Sequence, residues 1–541
     1  LTELIAIYGI PGTGKTTYLK NKITELVNDG YGLDDIAYWT FRRNMANDFL
    51  NRLSEDGVKG DNTFISTIHS ICWRMLSLEY GYNRKENVAL PWKDYVQFCH
   101  EIGIPIKIQE IAKLSGDDEE AILTPDEVET LGSQIYTIYT NCINSLIPFE
   151  EWQTLPAYML PTIDQRQIPP KYGSIHECVV DVIDKWLRWM EKNDKIDFAQ
   201  MLVKALELKL TPDVAICMSD ESHDMTPIQI KLAKLWSKEA DAFYVAFDRS
   251  QCIYSFWGVD TSFCDEVWRK ADERVTLTPS WRISQEVYDF ARKILKRSGQ
   301  SAPSVECIGG TKIIKITPMQ FDKLINTIDF IAILARTRYH LLHIASVLSE
   351  IGIIFTGIGG WGSKMFAVYK TVWCVKNGLS VPKSDYVKFL KVYERKYFLN
   401  DKAKLERIAP DPVPAEFILD TVSATLKKLI LEGNPFAKEL FVNSAFSKEA
   451  IEKMKMAWRN NAKPIVKAHL VTIHGSKGLE WDNVLVIDGI TKKINKSVSN
   501  YKSEFENEHR VWYVAFTRAK KLLFYMNSSF FPRGLNMPFV G

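Results

Sequence analysis

Short apolar runs alternate with amphipathic stretches over the first 75 or so residues, the pattern of a parallel sheet with helices on its faces. Leu4-Ile5-Ala6-Ile7-Tyr8 reads as a buried strand, with Ile36–Phe41 a second and Thr63–Ile68 a third, each followed by helical periodicity. From about 80 to 195 the alternation stops and helical spacing dominates, broken by prolines from Pro91 to the Pro169-Pro170 pair. Alternation returns at Val214–Ser219 and Ala242–Phe247, and a second α/β set is predicted to begin near Val275 and to include Phe330–Ala335. Helical spacing takes over again from 361 to about 465, before strands resume at Ala468–Ile473 and close at Lys521–Tyr525. The expectation is an α/β protein with two parallel-sheet domains, each carrying a mainly helical insertion. The first domain would be 1–78 with 197–268, interrupted by 79–196; the second would be 269–360 with 466–541, interrupted by 361–465.

Composition narrows the class without naming it. Of 541 residues 46% are apolar and 25% charged, as in soluble globular proteins, and the length suits several cores. The formal charge of +2 gives no global nucleic-acid signature, so any such surface has to be local. Nine cysteines without a C-x-x-C pair argue against a zinc ribbon, an iron–sulfur cluster or a disulfide framework, and fit a reducing compartment. No apolar run approaches the roughly 18 residues of a membrane span, and the start lacks a signal-peptide pattern, so a cytoplasmic location is expected. Two local charge features stand out. Residues 101–130 lean acidic, including Asp117-Asp118-Glu119-Glu120, and the run from Trp361 to Arg407 mixes lysines with Tyr369, Trp373, Tyr386 and Tyr393. The second has two readings, a nucleic-acid contact or a helical domain with a solvated basic face.

Chemistry enters at Gly9-Ile10-Pro11-Gly12-Thr13-Gly14-Lys15-Thr16, which has the spacing G-x-x-x-x-G-K-[ST] between a strand and a helix. Glycines let backbone N–H groups curl around phosphate oxygens, and the helix N-terminus adds partial positive charge behind them. Lys15 is placed to reach the β- and γ-phosphates and the Thr16 hydroxyl to take a position on Mg²⁺. Such a loop needs an acidic partner at a nearby strand end. Asp220, closing the Val214–Ser219 run, fits that need, and Glu221 beside it is placed to orient or deprotonate an attacking water.

Asp220-Glu221-Ser222-His223-Asp224 resembles the D-E-x-[QH]-D motif of superfamily 1 helicases of the UvrD/Rep/PcrA-like group. Six further segments are similar to that family's motifs and lie in its order. They are Thr40–Ala46, Thr67–Ser70, Ala246–Tyr254, Leu277–Arg282, Thr472–Trp481 and Arg510–Ala519. The resemblance implies two RecA-like motor domains, ATP and Mg²⁺ as cofactors, and DNA-dependent ATPase activity coupled to translocation and unwinding. It implies an ATP-binding set of Gly12, Thr13, Gly14, Lys15, Thr16 and Thr17, with Gln251 and Arg282 on the γ-phosphate. Trp281 would stack on adenine, Glu480 contact ribose, and Arg518 supply a second arginine from the opposite sheet. Lys15, Glu221, Gln251, Arg282 and Arg518 are the expected catalytic residues, and Thr16 with Asp220 the expected metal pair.

The same resemblance places Phe41, Thr67, His69, Tyr254, Phe256, Trp257 and His474 against a nucleic-acid strand, with aromatics stacking on bases whatever their sequence. Single-stranded DNA and its junctions with duplex are the expected partners, with 3′-to-5′ movement and possible activity as a monomer. The alternatives are 5′-to-3′ movement, an ATP-gated DNA-binding module without unwinding, and a small-molecule P-loop kinase, which leaves the second α/β set unexplained. The sequence departs from the family in several respects, among them Phe247-Asp248 where Gly-Asp is usual and a second insertion shorter than the family's. No Gln motif precedes Gly9, so adenine recognition is expected to fall to Trp281, and the usual Trp-Arg after the motif tyrosine reads Phe256-Trp257. Nothing of domain length follows the last motif, so no fused nuclease is expected.

Overall fold

The computed structural model describes residues 2–61, 63–108, 110–111, 123–443, 445–527 and 539–540; the acidic run at 117–120 lies outside them. The first sheet contains β1 (Glu3–Tyr8), β2 (Ile36–Trp39), β3 (Ile65–Ser66), β4 (Ile216–Ser219), β5 (Ala242–Phe247) and β6 (Glu273–Thr276), in the order β3-β2-β4-β5-β1-β6. The second contains β7 (Lys312–Ile316), β8 (Ile331–Ala335), β9 (Phe355–Gly357), β10 (Ala468–Thr472), β11 (Trp481–Ile487) and β12 (Ala519–Met526), in the order β7-β12-β11-β8-β10-β9. Every pairing is parallel. These are the two RecA-like sheets of the expected α/β architecture.

One boundary moves. The strand near Val275, expected to open the second set, pairs with β1 from Ile5↔Glu273 to Tyr8↔Thr276 and so completes the first sheet. Periodicity marks a strand but does not name its neighbour, and this edge strand buries too little to betray its side. The chain therefore passes between the sheets over 277–311.

Strand alternation divides the cores. Ile5 and Ile7 face one core with Leu19 and Ile23 of the helix Lys15–Asn28, while Ala6 and Tyr8 face another. That second core continues into the other sheet through Ala332, Leu334, Val484 and Val486 and the buried helix Lys502–Phe516. A shared apolar core thus joins the facing sides of the two sheets. The first helical insertion, between the helices Ile68–Tyr80 and Phe198–Glu207 that pack on the first sheet, has its own core around Tyr95, Ile138 and Trp186.

The second insertion, from Ser363–Lys376 to Lys448–Arg459, packs on the outer face of the second sheet. Its Tyr369, Tyr386 and Tyr393 are fully buried. Of the two readings of the basic run, the solvated face is the one these positions favour, since those rings are core and not stacking platforms.

Candidate functional site

The loop after β1 is shaped by its glycines. Gly12 and Gly14 take positive φ of 79° and 87°, and a Cβ on Gly12 would lie 2.4 Å from that of Arg282. Thr13 Oγ1 donates to the Ile10 carbonyl at 2.9 Å, closing the loop. Lys15 Nζ donates to the Gly9 carbonyl at 3.0 Å and lies 3.7 Å from Glu221 Oε1. Thr16, in the first helical turn, donates to Asp220 Oδ2 at 2.6 Å, and Tyr38 donates to the same oxygen at 3.1 Å. Residues 204 apart in sequence are thus brought together because β1 and β4 end at the same edge, on either side of β5.

Electrostatics separates the two carboxylates. Burial and the adjacent Glu221 push the Asp220 carboxyl up. Burial also opposes charge on Glu221, but Lys15 and His223 outweigh it and hold this carboxyl well below the usual range. His223 Nδ1 accepts from the Asp248 backbone N–H at 3.1 Å, which puts a neutral ring's proton on Nε2, 3.1 Å from Glu221 Oε2. That contact is close but lacks hydrogen-bond alignment. Glu221 itself sits at φ 53°, in the left-handed region that non-glycine residues avoid, and the strain fixes where its side chain begins.

The opposite wall comes from the second sheet and the chain leading to it. A cleft of about 560 Å³ is lined by Gly12, Gly14, Lys15, Thr16, Thr17, Asp220, Glu221, Gln251, Trp281, Arg282, Glu480 and Arg518, so nearly the whole expected ATP set meets there. Thr13 stands apart, turned into the loop. Arg518 is 2% exposed; its Nη2 donates to Gln251 Oε1 at 3.0 Å and its Nε to the Val514 carbonyl at 3.0 Å. Burial, with Arg282 nearby, lowers its pKa to about 10, which still leaves it charged at neutral pH. Arg282 pairs with Glu480 at 2.5 Å, and Lys520 lies 3.6 Å from the same carboxylate. Trp281 is 70% exposed at the rim, and its peptide N–H donates to the Gly12 carbonyl at 3.0 Å.

The expected strand contacts divide. Phe41, Trp257, Thr67 and His69 are half-buried and reachable. Thr67 also caps the helix Ile68–Tyr80, accepting from the Ser70 N–H at 3.3 Å, and burial holds His69 down to about 4, so it offers a neutral ring. Tyr254, Phe256 and His474 need correction: they are 0%, 6% and 2% exposed. Tyr254 stacks between Phe41 at 5.0 Å and Trp257 at 4.8 Å, and its hydroxyl donates to the His474 carbonyl at 3.1 Å. These three residues lie in the contact between the two sheets, where Tyr254 and His474 are enclosed and Phe256 reaches only the floor of a neighbouring groove. The motif places them correctly in the chain, but pattern alone does not distinguish a stacking platform from the packing beneath it.

Other residues that sequence reasoning left without a role, most of them inside the motifs, cluster at the same contact. Lys477 donates to Asp224 at 2.5 Å and to the Gln251 carbonyl; Arg510 donates to the Cys252 carbonyl at 2.7 Å, and Ser255 to Glu504 at 3.0 Å. The segment 251–255 is thus bonded residue after residue to the second sheet. No pattern in the sequence marks these pairs, whose partners stand more than 200 positions apart. A groove of about 460 Å³ opens beside it between the first insertion and the second sheet, lined by Tyr158, Phe256, Tyr339, Lys493, Lys496 and Tyr501 among others. Among the described residues, no helix is long and apolar enough to cross a membrane.

Comparison with known proteins agrees with this geometry. Residues 1–272 match the model of the UvrD/REP helicase N-terminal domain, and 439–529 that of the UvrD-like helicase C-terminal domain. The chain is similar to a probable DNA helicase II homolog of Mycoplasma pneumoniae, 22% identical over 96% of this chain and 81% of that protein. It is 22% identical to the ATP-dependent DNA helicase PcrA of Bacillus subtilis over 64% of this chain and 44% of that protein. With the ATP-dependent DNA helicase Rep of Buchnera aphidicola it shares 36% identity over 19% of this chain and 16% of that protein. It thus spans most of the first relative but less than half of the other two.

Proposed function

The chain belongs to the UvrD/REP helicase family, and from that premise we propose that it is a DNA-dependent ATPase that moves 3′ to 5′ along single-stranded DNA and unwinds duplex. One observation carries the reading furthest. The phosphate loop of the first sheet and Arg518 of the second line the same cleft, with Gln251 hydrogen-bonded to that arginine. Charge that concentrates on the γ-phosphoryl oxygens during transfer is then met from both sides, and its loss on hydrolysis is felt by both sheets. A cleft built in this way converts turnover into relative movement of its walls.

The roles follow the contacts. Lys15 and the loop N–H groups hold the phosphates, Glu221 orients the attacking water, and Arg282 and Arg518 stabilise developing charge. Gln251 reports the γ-phosphate to Arg518, Trp281 offers an exposed ring to the base, and Glu480 exchanges Arg282 for the ribose when nucleotide enters. Mg²⁺ fits Thr16 and Asp220. A hydroxyl and a carboxylate oxygen 2.6 Å apart are hard donors, and a carboxyl pushed up by burial and Glu221 regains its charge beside a cation. When bound, the ion offsets charge between the phosphates.

On the DNA side, the half-buried Phe41, Trp257 and His69 supply a surface for bases, and the groove beside Tyr339 and Tyr501 extends it. Lys493 and Lys496 stand exposed on its rim. Replacing both by Ala is expected to weaken oligonucleotide binding uniformly across sequences. The slope of log affinity against log salt should become shallower by about 0.7 for each lost phosphate contact. An unchanged slope would move the strand off this rim.

The direct test is ATP turnover with and without DNA and RNA oligonucleotides, followed by unwinding of duplexes with 3′ or 5′ tails. Stimulation by single-stranded DNA and unwinding from the 3′ tail alone is the expected result. Unwinding only from the 5′ tail reverses the direction, and ATP-dependent binding with no unwinding from either tail leaves a nucleotide-gated binding module.

A further inference from the structure

The end of the first sheet away from the nucleotide carries a cavity of its own. Leu4 and Phe243, near the starts of β1 and β5, line it with Phe263 and Val267 of the helix Ser262–Lys270. The space between that helix and the C-terminal end of the helix Pro227–Trp236 measures about 460 Å³. β1 separates it from the phosphate loop by about 17 Å of extended chain.

The floor is apolar, and the charged residues that line the cavity are Lys234, Lys238, Lys270 and Glu266. Glu266 accepts from Lys234 at 2.7 Å and from Lys270 at 2.8 Å, and these bonds hold its carboxyl down to about 2. It is therefore ionised at any working pH. Three ammoniums still face one carboxylate, so the rim keeps an excess of positive charge. Lys238 is exposed and has no ion-pair partner among the described residues. Lys234 also lies 5.7 Å from the centroid of the Phe263 ring, so the charged rim and the apolar floor meet there. Lys231, exposed three residues before Lys234 on the same helix face, carries the positive strip beyond the cavity.

These features select a ligand chemistry. A nucleic-acid backbone would answer the lysines but leave the apolar floor wet, and a neutral apolar ligand would answer the floor alone. A small anion would fill the cavity without covering the strip toward Lys231. An acidic peptide with one large apolar side chain satisfies all three, with the side chain as anchor and the carboxylates as rim. Glu266 already shows the rim's preference, since lysines from both helices converge on its carboxylate.

We propose that this cavity is a docking site for an acidic segment of a partner protein, which inserts a Phe side chain between the two helices. The proposal goes beyond the motor reading and does not depend on it. A partner held there leaves the nucleotide cleft and the groove beside Lys493 open.

The probe is a fluorescein-labelled peptide, Asp-Glu-Asp-Phe-Asp-Glu, read by anisotropy against the whole chain. Its controls carry Ser in place of Phe, or Asn and Gln in place of the acids. Wild type is expected to bind the probe at least tenfold more tightly than either control, with ATP turnover unchanged at saturating probe. Lys234→Glu/Lys238→Glu and, separately, Thr2→Trp, which sets an indole at the cavity, should each weaken binding at least tenfold without lowering the thermal midpoint. A probe that does not bind, or binds equally well with Ser for Phe, overturns the docking site, and this comparison needs no variant to fold. Wild-type affinity in both variants, or inhibition of ATP turnover by the probe, overturns it too. Displacement of the probe by an oligonucleotide would give the strip to nucleic acid instead, and the proposal would fall.

Discussion

Glu221→Gln is expected to lower DNA-stimulated ATP turnover by about 10²–10⁴-fold while nucleotide affinity stays the same or tightens. The carboxylate is ionised throughout the neutral range, because Lys15 and His223 hold its pKa well down against the effect of burial. An acid held that low is a weak proton acceptor, so the loss is expected to come chiefly from misorienting the attacking water. Glutamine keeps the size and one carbonyl oxygen but turns half of the group into a donor, which misdirects that water. Affinity is spared because Lys15, 3.7 Å from Glu221 in the present arrangement, loses a competing anion and is left to the phosphates. Phosphate release in the presence of oligonucleotide, with fluorescent-nucleotide binding alongside, reads both quantities. Turnover within tenfold of wild type would remove Glu221 from the chemistry.

Arg518→Ala should cost about 10³–10⁵ in turnover, the range of an arginine supplied across a cleft. Its position is set by two bonds of 3.0 Å, one to the backbone of the preceding helix and one to Gln251 Oε1. Lysine has neither the fork nor the reach to make both, so Arg518→Lys is expected to rescue charge but little activity. Arg518 and Arg282 repel each other, and this is part of why the Arg518 pKa falls to about 10. A triphosphate entering between them relieves that repulsion, so loss of either should show in nucleotide affinity as well as rate. Because Arg518 is buried, circular dichroism melts are the necessary companion. A variant that stays folded and turns over within tenfold of wild type would show that the arginine only holds the sheets together.

The nucleotide cleft was legible in the sequence because its chemistry demands particular residues at fixed spacing. A glycine at positive φ, a lysine one residue on and a carboxylate at a strand end leave little room for substitution, and each was found where it was expected. Two parallel sheets were legible for a related reason, since strands buried on both faces read as apolar runs. Partner choice was not. The strand Glu273–Thr276 joined the sheet before it and not the one after, because nothing in four half-polar residues specifies a neighbour. Exposure was not legible either. Tyr254 and Phe256 have the right types for stacking on bases, yet Phe41 and His474 from distant segments, with the neighbouring Trp257, bury them. Lys477 stood inside a quoted motif without a role, since its partners come from another part of the chain.

The addition of β6 to the first sheet has a mechanical consequence. With Ser280 donating to the Pro11 carbonyl at 2.7 Å and Trp281 to that of Gly12, the crossing segment stays fastened to the phosphate loop until Arg282. The chain's crossing into the second sheet is therefore anchored beside the nucleotide cleft. A displacement of the phosphate loop is passed directly to the start of the segment that carries Arg282, with no slack linker between them.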